Sequence, residues 1–108
     1  LRTSFPEQCF LYYLSKYFKV DSRIKINDWE IDIYLCDYSI AIEYDGIAYH
    51  NRLNLKNREI RKNDALKKAG IFLIRIKEDY KMQKIDNDVI YFKVDHKYSN
   101  LESALQIY

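Results

Sequence analysis

"WEIDIYLCDYSIAIEYDG" (residues 29–46) is the stretch that decides how this chain folds. In "WEIDIYL" (29–35), Ile31, Ile33 and Leu35 fall on one face, and Glu30, Asp32 and Tyr34 on the other. "SIAIEYD" (39–45) alternates in the same way, with Ile40, Ile42 and Tyr44 against Ala41, Glu43 and Asp45. A strand sends successive side chains to opposite faces, so both runs read as strands. Joined around Asp37-Tyr38, a weak turn signal, they form a hairpin. That register sets Asp32 opposite Glu43 and Glu30 opposite Asp45, with all four acids on one face.

The flanks supply the other elements. "SFPEQCFLYYLSKYF" reads as a helix capped by Ser4, with Pro6 in its first turn and Glu7 completing a capping box. Its apolar residues Phe10, Leu11, Leu14 and Phe18 recur at helical spacing. "RIKI" (23–26) is a short alternating strand. "LKNREIRKNDALKKAG" (55–70) is a helix closed by Gly70 at C′. "IFLIRIK" (71–77) is almost continuously apolar, as expected of a parallel strand buried on both faces. A helix followed by a buried strand completes a βαβ crossover from the acidic hairpin. "DVIYFKV" (88–94) predicts a further strand, and "SNLESALQIY" (99–108) a terminal helix. The expected order is α-β-β-β-α-β-β-α, an α/β domain.

With 108 residues, the chain is expected to be a single domain, residues 1–108. Leu1 stands where an initiator methionine would be, which reads as a domain trimmed from a longer protein. Eleven tyrosines and only two glycines make this a packing composition. No apolar run is long enough to span a membrane. Cys9 and Cys36 lack paired zinc spacing and read as small buried hydrophobes in a reducing compartment.

The net charge of +2 says little, but its distribution says more. Residues 28–45 hold six acids and no base, whereas residues 51–70 hold seven bases and two acids. Such a pair of blocks suits either two mutually attracting solvated faces or a metal site beside a phosphate-binding surface.

Facing carboxylates destabilise a sheet and resist one another's ionisation. Two arrangements offset this: exposure beside Lys and Arg neighbours, or a divalent cation with oxygen ligands, of which Mg²⁺ takes one or two carboxylates. His50 follows the acidic strand by five residues, after Gly46. Glycine permits a sharp exit from the strand, and an imidazole titrates where a general base works. Glu59 and Lys62 lie three apart and share a helix face, either as a surface ion pair or as a polar edge turned toward the site. Arg75 sits in an apolar strand, where an unpaired charge is expensive. It either salt-bridges an acid or emerges to meet phosphate.

With its helix acid, "EIDIYL", "IAIEYDG…YH" and a basic helix ending in "KKAGIFLIRIKE", the chain resembles the PD-(D/E)xK nuclease superfamily. The resemblance is closest to the branch around very short patch repair endonucleases. That branch includes the catalytic domains of phage homing endonucleases with an E-D-x-H-D fingerprint. It covers residues 4 to about 78.

The resemblance implies a restriction-endonuclease-like αβββαβ core: a mixed central sheet flanked by helices, here with a C-terminal strand and helix added. It implies catalytic roles for Glu7, Asp32, Asp45, His50 and Glu59. Asp32 and the Tyr44 carbonyl are the implied metal ligands, for Mg²⁺ with Mn²⁺ substituting, and Glu43 is a further candidate ligand from the same acidic face. Asp45 stands where the superfamily has its lysine, and Glu59 where the fingerprint has aspartate. Water activation then falls to His50, or to Lys62 reaching in from the helix. Arg61, Lys62 and Arg75 are the candidate phosphate-binding bases. The expected activity is cleavage of double-stranded DNA, as a homing endonuclease or as a repair, restriction or phage-defence enzyme. A homodimer or higher oligomer would cut both strands. The expected setting is the cytoplasm of a bacterial or phage-infected cell. The competing class is a non-catalytic binding module on a decayed nuclease fold.

Overall fold

The computed structural model describes residues 5–45, 53–77 and 88–93. Its elements are α1 (Phe5–Ser15), β1 (Asp21–Ile26), β2 (Trp29–Leu35), β3 (Ile40–Asp45), α2 (Leu53–Lys68), β4 (Phe72–Lys77) and β5 (Ile90–Lys93). The strands form one mixed sheet in the order β1-β2-β3-β4-β5. β1, β2 and β3 are antiparallel neighbours, whereas β4 runs parallel to β3 and β5 parallel to β4. This is a restriction-endonuclease-like α/β fold, as expected. The expected helix over 99–108 lies outside the described residues.

Local chemistry sets each connection. β1 turns into β2 through Asn27 and Asp28, both at positive φ (50° and 68°), so Ile26 pairs with Trp29. Two positive-φ residues make the hairpin turn whose twist matches its strands, and Asn and Asp tolerate that conformation best after glycine. β2 and β3 meet in the expected register, Leu35 opposite Ile40 and Ile33 opposite Ile42. Their loop closes through the Tyr38 amide, which donates to the Leu35 carbonyl at 3.1 Å, with Ser39 at φ 53°.

α2 ends as its sequence predicts. Gly70 has φ 78°; its amide donates to Lys67 at 3.0 Å, and the Ile71 amide to Leu66 at 2.9 Å. These two bonds define a Schellman stop. Leu66 and Ile71 pack in the same cluster, fixing where the chain enters β4.

Two apolar clusters cover the two faces of the sheet. Phe10 and Leu14 of α1 pack on Ile33, Leu35, Ile42, Ile74 and Ile76. Leu66 of α2 packs with Ile31, Ala41, Leu73, Val89 and Tyr91. Ile31 corrects the simple alternation of β2: it joins the α2-side cluster, whereas Ile33 and Leu35 pack toward α1. The pattern slips at Asp32. Among the described residues, no helix is long and apolar enough to cross a membrane.

Candidate active site

The slip at Asp32 marks a break in the sheet. Backbone pairing of β2 with β3 runs from Leu35↔Ile40 to Ile33↔Ile42 and goes no further. At the next step the Asp32 amide donates to Glu43 Oε2 at 2.8 Å, and the Tyr44 amide donates to Asp32 Oδ2 at 3.0 Å. Side-chain oxygens take donors that a continuous ladder would give to carbonyls. The two acids therefore face each other across an opened seam.

Cations enter this seam from both sides. Arg23 of β1 contacts Glu7 at 3.0 Å, Glu30 at 2.7 Å and Asp32 at 3.1 Å. From α2, Lys62 Nζ donates to the Glu43 carboxylate and to the Glu30 carbonyl. Four carboxylates thus meet two cations, an excess of negative charge among the described residues. Glu7 and Glu43 are 6 % and 4 % exposed. Burial, followed by the neighbouring Asp32 charge, pushes each of their carboxyls up to about 7. Burial also raises Asp32, although the Tyr44 amide and Arg23 oppose it.

The expected acidic face is divided. Asp45 belongs to a second polar network, with Arg75 Nη1 at 3.0 Å and Lys77 at 3.1 Å. Glu59 of α2 receives Lys77 at 2.5 Å and the Tyr91 hydroxyl at 3.3 Å. Asn63 Oδ1 accepts from Arg75 Nε at 2.9 Å. Of the two fates open to Arg75, the salt bridge is the one realised. At 3 % exposure its guanidinium faces inward, which corrects its expected contact with phosphate.

The remaining expectations are placed as follows. Arg61 is exposed on α2. Tyr44 is half-buried, its ring 6.1 Å from that of Phe10. Glu30 is half-buried and bound to Arg23. Glu59 and Lys62 take separate partners, Lys77 and Glu43. Cys9 and Cys36 are free thiols and half-buried. His50, Gly46 and Ser4 lie outside the described residues. Among the described residues, no three His, Cys, Asp or Glu side chains converge as a ready metal cage.

Sequence reasoning missed Arg23 and Asn63. A signal for Arg23 existed: a tight turn at Asn27-Asp28 sets position 23 opposite position 32. No comparable signal marks Asn63, whose partner comes from a strand twelve residues on.

Among solved structures, the catalytic domain of the homing endonuclease I-Bth0305I is similar to this chain. The TM-score is 0.57 and the identity 21 %, covering 69 % of this chain and 76 % of that one. At that identity the likeness is one of fold. Comparison with curated proteins gives no match. The model of a family described as "Protein of unknown function (DUF2726)" matches residues 19–93, more than half of the chain, which therefore belongs to that family.

Proposed function

We propose that residues 1–108 are the catalytic domain of a Mg²⁺-dependent DNA endonuclease of the PD-(D/E)xK superfamily, on its very short patch repair-like branch. The observation that carries this reading is the seam between β2 and β3, where Asp32 and Glu43 face each other and Lys62 reaches both strands from α2. Asp32 and Glu43 hold the superfamily's two acid positions. Asp45 replaces its strand lysine, and Lys62 returns an ammonium to the site from the helix.

The residues fit a divalent cation. They offer hard oxygen donors, with four carboxylates set against two cations. Asp32 and Glu43 would hold it, joined by the Tyr44 carbonyl. Extended backbone sends a residue's N–H and C=O to the same side, and the Tyr44 amide already points at Asp32. Bound there, Mg²⁺ (or Mn²⁺) would supply Lewis-acid stabilisation of the phosphate charge.

The chain's own groups supply the rest. His50 is the proposed general base, with Lys62 as the alternative. The base takes a proton from water as the water oxygen bonds to phosphorus. The bond from phosphorus to O3′ breaks, and the leaving oxygen gains a proton. The products are a 5′-phosphate and a 3′-hydroxyl. Glu7 holds Arg23 beside the site, and exposed Arg61 is the proposed contact to backbone phosphate. Asp45 and Glu59 act from the second network, by tying β3 and α2 to β4. Cutting both strands of duplex DNA needs two such sites, hence a homodimer or successive nicks. Homing is the proposed role, in a bacterial or phage-infected cytoplasm; repair, restriction and phage defence use the same chemistry.

A second reading has one observation in its favour. Arg23, Lys62 and two backbone amides already engage the Asp32 and Glu43 carboxylates, as suits a binding module that has lost catalysis. Incubation with supercoiled plasmid and Mg²⁺ separates the two. Nicking that disappears in Asp32→Ala and is strongly slowed in His50→Ala is the result expected of the enzyme. Activity unchanged in both variants rules out this site.

A further inference from the structure

We propose that Arg23 gates the cation site: its guanidinium occupies Asp32 Oδ1, the carboxylate oxygen that a divalent cation would take, and a DNA phosphate draws it out. The inference rests on reading Asp32 as a metal ligand.

Arg23 binds Glu7 of α1 and Glu30 and Asp32 of β2 together. On Asp32 the division is specific. The Tyr44 amide holds Oδ2, and Arg23 holds Oδ1. A cation approaching Oδ1 therefore meets a guanidinium already there, and two positive groups at hydrogen-bonding range repel strongly in a half-buried site. Lys62 leaves Asp32 to Arg23, because its own partners are Glu43 and the Glu30 carbonyl.

The backbone is built for this placement. Arg23 has φ 56°, inside a strand whose flanking pairs Ser22↔Ile33 and Ile24↔Ile31 are kept. A left-handed conformation is costly for a side-chain-bearing residue, and it persists only where surrounding contacts hold it. Here the contacts are carboxylates. The guanidinium side chain keeps 23 % of its surface exposed, against 13 % for Lys62, so Arg23 has the more open path to solvent. It meets the acids through both terminal nitrogens, the fork that also suits phosphate oxygens.

Exchange at the gate makes DNA and cation binding mutually favourable. Phosphate takes the guanidinium, and the vacated Asp32 Oδ1 takes the cation. By linkage, each ligand must tighten the other by the same factor.

Calorimetric titration of Mn²⁺ into the wild-type chain and Arg23→Gln, with and without a short duplex, tests this. Without DNA, Arg23→Gln is expected to bind Mn²⁺ at least about tenfold tighter than wild type. The duplex should tighten Mn²⁺ binding by wild type more than by the variant, because in wild type it also withdraws the guanidinium; an equal effect on both overturns the gate. Equal affinities for wild type and variant overturn the gate and leave the metal site standing. Failure of both to bind Mn²⁺, or binding that survives Asp32→Asn, removes the metal site and the gate with it. Should Arg23→Gln not fold, Arg23→Lys keeps the charge, loses the fork and should bind Mn²⁺ with intermediate strength. A side-chain nitrogen resonance of Arg23 that stays still as Mg²⁺ saturates the wild type also overturns the gate.

Discussion

Asp32 and Glu43 face each other across β2 and β3 without repelling the strands apart, because each is held by an amide of the opposite strand. Glu43 accepts the Asp32 amide at 2.8 Å, and Asp32 accepts the Tyr44 amide at 3.0 Å. Hydrogen bonds to a charged acceptor are roughly twice as strong as neutral ones. They keep the sheet joined where its ladder opens, and they aim both acids into the opening.

The proposed nuclease activity should collapse when this pairing is altered without changing shape. Asp32→Asn is expected to abolish plasmid nicking. His50→Ala should slow it by about 10²–10⁴-fold if the proposed general-base role holds. Lys62→Gln should also lower the rate, with the circular dichroism spectrum unchanged in all three. Single-turnover cleavage assays check these outcomes.

Stability should fall as pH rises from weakly acidic to neutral. Glu7 and Glu43 are raised from their ordinary 4.5 to about 7. Between those values the folded chain keeps protons that the unfolded chain releases. Their contribution is therefore complete below about pH 4.5, fades up to about pH 7 and is absent above it. Thermal melts from pH 5 to 8 should show a declining Tm, and Glu43→Gln should flatten the slope. A Tm that climbs through this window would contradict the assignment.

The Arg75 network should be a structural requirement. Arg75→Met leaves Asp45 and Glu59 with Lys77 as their remaining cation in this network. Breaking one partner from a buried pair costs about 3–5 kcal/mol. That is a large share of a small domain's stability. Urea titration should show the midpoint collapsing, whereas Arg61→Met, on the surface, should leave it within about 0.5 kcal/mol.

Gly70→Ala isolates a backbone effect. Nothing lies within 4 Å of a Cβ built there, so no clash arises. The positive φ of 78° alone opposes alanine, at about 1–2 kcal/mol. A Tm equal to wild type would mean that the helix stop does not depend on glycine.

Much of this molecule was legible in its sequence. The alternation in 29–46 gave the hairpin and its register, and Gly70 gave the end of α2. The apolar run 71–77 gave a strand with parallel neighbours on both sides. These features depend on residues close in the chain, where periodicity and turn chemistry act directly.

The charge pairing was decided only in three dimensions. Nothing local says that Arg23 binds Glu7 or that Lys62 takes Glu43, nor that Arg75 turns inward to Asp45 and Asn63. Their partners lie twelve to thirty residues apart and come from different elements. Which acid meets which cation depends on how the helices settle on the sheet, and on the slip at Asp32 that sends Ile31 to the α2 side. The sequence by itself determined the acids and the strands that carry them. Only packing decided how those acids are shared among cations, because burial makes every unpaired charge costly and leaves few arrangements that pair them.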